Sequence, residues 1–107
     1  MTTDRELLEL AARASEVELW LDSVSGYRNG ANGDTWNPLT DDGDALRLAV
    51  KLELEISASY DESAIAYVGY DDGDRIRYVI EPKGDDPYAA TRRAIVRAAA
   101  EIGRKVP

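Results

Sequence analysis

Apolar positions recur along this chain at two spacings, one helical and one alternating. Leu7, Leu8, Ala11 and Ala14 or Ser15 follow Thr3-Asp4-Arg5-Glu6, which has the Thr-x-x-Glu form of a capping box. The pattern predicts a helix from about Asp4 to Ser15. Residues 16–22 carry two patterns at once: Val17, Leu19 and Leu21 alternate like a strand, whereas Leu10, Ala14, Val17 and Leu21 would line one helix face. Both readings stay open. Ser23–Thr35, with three glycines, two asparagines and little apolar content, reads as a loop.

The chain is anchored again at Trp36-Asn37-Pro38-Leu39. The residue before a proline avoids helical dihedrals, so the next helix starts later. Thr40, Asp41 and Asp42 are all competent caps, and acids suit the positive end of a helix dipole. A helix over about Asp42–Glu53 follows. Its polar residues Asp44, Arg47 and Lys51 form one narrow stripe, so it is expected to be the central helix, buried on most sides.

Leu54, Ile56, Ala58 and Tyr60 alternate with Glu55, Ser57 and Ser59, a strand with one wet face. Asp61-Glu62 turns the chain into Ser63–Tyr70, where neither face is polar, as in a strand covered on both sides. Asp72-Gly73 is a hairpin signal and leads into the alternating Arg75–Ile80. Asp86 and Pro87 open a last helix, with Tyr88, Thr91, Ile95, Ala98 or Ala99, and Ile102 inward, and Arg92, Arg93, Arg97 and Arg104 outward. Gly103 marks its end. These elements predict an α+β class: a three-layer α/β/α sandwich, with three helices on both faces of a small antiparallel meander.

The 107 residues fit one domain, 1–107. With no cysteine and no histidine, disulfides, thiolate nucleophiles and imidazole bases drop out, as do zinc and haem sites that need those ligands. The net charge of −8 argues against a general duplex binder. That charge is uneven: residues 1–87 hold 20 acids and 8 bases, residues 88–107 one acid and five bases. The basic last helix is expected to pair with the protein's own acids. No apolar run approaches the length that spans a bilayer, and the polar opening residues predict no secretory leader and a cytoplasmic location.

Residues 36–52, Trp-Asn-Pro-Leu-Thr-Asp-Asp-Gly-Asp-Ala-Leu-Arg-Leu-Ala-Val-Lys-Leu, resemble a family of small phage and prophage proteins, the phage ABA-sandwich domain proteins. The closing Ala90–Gly103 and the first helix, Asp4–Ala14, are similar to the family's as well. Two positions depart from its pattern. The family commonly has a small residue or glycine after the first helix, where this chain has Ser15-Glu16. It often has glycine after the central helix, where this chain has Glu53. Both departures bear on where helices end. The resemblance implies an α/β/α sandwich and a viral or prophage origin, hence a bacterial host cytosol, and it carries over no catalytic residue.

The candidate chemistry lies in the acids. Asp41-Asp42-Gly43-Asp44 and Asp71-Asp72-Gly73-Asp74 are the same tetrapeptide, but the spacing is not that of a calcium loop. One copy caps a helix and the other turns a hairpin. Asn29–Asp34 is glycine-rich without the lysine or frame of a phosphate loop, and reads as a flexible surface loop. No acid sits inside an apolar run as a perturbed catalytic acid would, so no catalytic residue, metal or cofactor is expected. The expected function is a non-enzymatic phage or prophage accessory protein, in its sharpest form an anti-defence, anti-CRISPR-like inhibitor of a nucleic-acid-handling host protein. An acidic edge of Asp61, Glu62, Asp71, Asp72, Asp74, Asp85 and Asp86 would imitate phosphates, and Trp36 is either a core plug or an exposed anchor. The competing classes are a small metal- or ligand-binding module and a virion or assembly component.

Overall fold

In the computed structural model, residues 2–22, 24, 26–57 and 65–106 are described. They form helices α1 (Asp4–Ser15), α2 (Asp42–Lys51) and α3 (Pro87–Arg104) and strands β1 (Leu19–Asp22), β2 (Gly26–Asn29), β3 (Glu55–Ser57), β4 (Ile65–Asp71) and β5 (Ile76–Pro82). The class is α+β. β1 and β2 pair as an antiparallel hairpin, and a separate antiparallel sheet has the order β3-β4-β5.

Each helix starts on a cap its sequence offers, Asp41 being the one used of Thr40, Asp41 and Asp42. The Thr3 hydroxyl accepts from the Glu6 amide, the Asp41 carboxylate from Asp44, and the Asp86 carboxylate from Tyr88 and Ala89. α1 and α2 end alike. The amides of Val17 and Leu54 reach back to the carbonyls of Ala12 and Ala49, each 2.9 Å, which turns the intervening residue left-handed. Those residues are Glu16, φ 61°, and Glu53, φ 55°.

The hub of the fold is α3, not α2. α3 lies against β4 and β5 on one side, and α1 and α2 both pack against α3. Its Ala94, Ile95, Val96, Ala98, Ala99, Ala100 and Gly103 are buried. Leu7, Leu8, Ala11 and Ala12 of α1, Ala45, Leu48 and Ala49 of α2, and Val68 and Val79 of the sheet complete the core with Trp36. The expectation of a central α2 is corrected by Leu46 and Val50, which are 59% and 69% exposed. Small alanines let neighbouring elements approach closely, and α3 is the helix that has them all round. At Gly103 the approach is closest: a Cβ there would stand 2.0 Å from the Leu10 carbonyl oxygen. Gly103 is thus an interhelical contact as well as a residue of the last turn, the helix ending one position on at Arg104.

The layer order differs from the sandwich expected. Val68, Val79 and Ala66 face α3, and among the described residues no second helical layer covers the opposite face of the sheet. The sheet is an outer layer. The loop expected over Ser23–Thr35 also contains a strand. β2 is held by its register with β1, by the 2.8 Å ion pair of Arg28 with Asp22, and by the Tyr27 ring packing against the core. The open choice over residues 16–22 is settled by that partner: Leu19–Asp22 is a strand.

Candidate interaction surface

The Asp71–Asp74 tetrapeptide sits at the β4–β5 turn. The Asp71 carboxylate accepts from the Gly73 amide at 2.8 Å, and Asp72 accepts from the amides of Asp74 and Arg75 at 2.9 and 3.0 Å. The second oxygen of Asp72 pairs with the Arg77 guanidinium. That hydrogen bond, reinforced by the two amides, holds the Asp72 carboxyl well below the usual carboxylate range. Asp71 and Asp74 are exposed. The first copy of the motif does different work. Asp41 caps α2, Asp42 pairs with Arg92 at 2.6 Å, and the buried Asp44 accepts from the Asn37 amide at 2.9 Å and from Arg47 at 2.7 Å. Both copies therefore have the structural roles their positions suggested. Among the described residues no three carboxylates converge so as to hold a metal ion.

The acidic edge read from the sequence is divided. Asp71, Asp72 and Asp74 lie at the end where Asp71 pairs with Ile76, whereas Asp85 and Asp86 follow Pro82, which pairs with Ile65 at the other end. Seven-residue strands separate these ends by about 20 Å. Asp85 is exposed, and Asp86 is engaged as the α3 cap. Asp61 and Glu62 lie outside the described residues. Trp36 is 6% exposed and belongs to the core, its amide donating to the Tyr27 carbonyl at 2.9 Å. It is the plug, and its reading as an exposed anchor is corrected by that burial. The exposed tryptophan is Trp20, 58% accessible on β1 beside Arg28.

The arginines of α3 pair with the protein's own acids, as expected. Arg93 pairs with Asp4 and Glu81, Arg97 with Glu81 at 2.9 Å, and Arg104 with Glu101. Arg92, expected to face out, is tucked against α2, where it also donates to the Leu39 carbonyl at 2.9 Å. Tyr88, expected inward, is 69% exposed. Loop 29–34 is internally braced: the Asn29 and Asn32 side chains accept from the Ala31 and Asp34 amides, and Arg28 donates to the Gly33 carbonyl.

Sequence reasoning missed the open face of the sheet. Residues opposite one another in the register share a face, so Tyr67 and Ile80, Gly69 and Tyr78, and Asp71 and Ile76 stand together away from α3. Ile76, Tyr78 and Ile80 are about half exposed there. The alternation of Arg75–Ile80 carries that signal, but alternation alone does not tell which face a helix covers.

No protein-family model, no curated protein and no solved structure significantly matches this chain.

No described helix is long and apolar enough to cross a membrane.

Proposed function

We propose that this protein works by binding a basic protein partner, as a small acidic accessory protein of phage or prophage origin that inhibits a nucleic-acid-handling protein of its host. The observation that carries this reading is the distribution of charge. The described α3 arginines are drawn onto Asp4, Asp42, Glu81 and Glu101, while Asp71 and Asp74 project from a braced turn on a molecule of net charge −8. Fixed carboxylates at the edge of an acidic body attract a basic groove at long range and make the encounter sensitive to salt. The resemblance of residues 36–52 supports the phage setting, and the inhibitor of host defence is its most specific form.

The test is capture from bacterial lysate by the tagged protein, washed at low salt and at about 0.5 M, where charges are screened within a few ångströms. The variant Asp71→Asn, Asp74→Asn runs beside it, because asparagine at 71 keeps the turn acceptor and removes the charge, while Asp72 stays paired with Arg77. A nucleic-acid-handling protein retained at low salt, released at high salt and lost by the variant is the expected result. Capture indifferent to both salt and variant, or no specific capture, overturns it.

A further inference from the structure

Resting on that reading of a basic partner, we propose that the open face of β3–β4–β5 is where the partner docks, and that the partner presents arginine or lysine side chains interleaved with apolar ones. Ile76, Tyr78 and Ile80 stand 47%, 52% and 54% exposed in alternate positions of β5, beside the partly buried Ile65 and Tyr67 of β4. The face is built to present them. Tyr78 lies across Gly69, where a Cβ would come within 2.9 Å of its ring, and it meets Tyr67 edge-on with ring centres 5.9 Å apart. Rigid tyrosine flanked by aliphatic side chains is the composition in which binding energy concentrates.

The charges on this face choose the occupant. Its charged residues at described strand positions are Asp71 of β4 and Glu55 of β3, which stands opposite Gly69. No lysine or arginine of the described strands points that way, and Arg75 lies beyond the strand, in the adjoining turn beside Asp74. A cationic side chain laid on this surface meets the two carboxylates and the exposed Tyr78 ring, whose face attracts cations. A second copy of the chain does not suit it. Two such faces brought together would set carboxylate against carboxylate between bodies of charge −8.

The experiment follows backbone amide NMR signals of the ¹⁵N-labelled protein during titration with the peptide acetyl-Arg-Leu-Arg-Trp-Arg-Leu-Arg-amide, and with its counterpart bearing glutamate for arginine. The expected result is saturable shifts at Tyr67, Ile76, Tyr78 and Ile80 with the cationic peptide only. The variant Ile76→Thr, Ile80→Thr keeps β-branched residues at exposed sites and is expected to bind about tenfold more weakly or worse, the effect of losing anchor contacts. Shifts centred elsewhere, no shifts, or equal response to the acidic peptide overturn the proposal. So does concentration-dependent dimerisation in sedimentation that the same variant abolishes, which would make a second copy the occupant. The double variant also enters the lysate capture. Salt-sensitive capture that survives it leaves the binding function standing and removes this surface. Failed capture with peptide shifts on the face removes the proposed function alone.

Discussion

Glu16 and Glu53 hold left-handed backbone conformations that side chains with a Cβ resist, at a cost of roughly 1–2 kcal/mol each. Glycine relieves that cost but adds freedom to the unfolded chain, worth roughly 0.5–1 kcal/mol. The balance favours the folded state, so Glu16→Gly and Glu53→Gly are each expected to stabilise by up to about 1 kcal/mol. Urea unfolding of the single variants checks this, and a lowered midpoint in both would contradict it. A second residue-scale effect concerns pH. The Asp72 carboxyl is depressed in the fold by Arg77 and two amides, and Glu9 by the Tyr27 hydroxyl and then Arg5. A depressed carboxyl contributes stability that is complete above its unfolded pKa and is lost as pH falls toward its folded value. Asp72→Asn is therefore expected to be less stable than the parent at neutral pH. The difference should shrink as pH falls below about 4, through the ordinary carboxylate range. Unfolding midpoints between neutral pH and pH about 2 measure it, and a constant difference would remove Asp72 from the account.

Among the elements, the contact of α1 with α3 has the least tolerance. A methyl group at Gly103 would overlap the Leu10 carbonyl, a backbone atom that cannot swing aside. Gly103→Ala is expected to destabilise at or beyond the upper end of about 1–3 kcal/mol, the range for overpacking. Thermal unfolding reads the loss, and a melting temperature equal to the parent's would show that the helices can part. The element boundaries themselves were largely legible. Thr3, Asp41 and Asp86 announce the helix starts, and Asp72-Gly73 announces the hairpin, because caps and turns are local chemistry. Helix rank was not legible. The stripe of Arg92, Arg93 and Arg97 reads as a wet face, but long guanidinium stems reach over the helix edge to Asp42, Asp4 and Glu81. β2 was missed for a related reason: Tyr27 and Arg28 carry little pattern of their own, and their strand is fixed by what lies across from it in β1.

At the scale of the whole molecule, the sheet is covered by helices on one side among the described residues and the net charge is negative, and each was legible to a different degree. Net charge is a sum over the chain, so it could be read before any folding was considered. The acidic edge could not, because the β4–β5 register sends Asp71 and Asp85 to opposite ends. The open sheet face depended on which side α3 chose, a decision made by alanine packing rather than by strand alternation. That choice of hub has a consequence in time. α1, α2, β4 and β5 rest their apolar sides on a helix that follows all of them in the chain. A ribosome makes residues in order, so those sides emerge without the surface they need. The core closes only after Arg104 has been added and released from the exit tunnel. Until then those apolar sides stay exposed, the condition in which an incompletely folded chain is prone to aggregate.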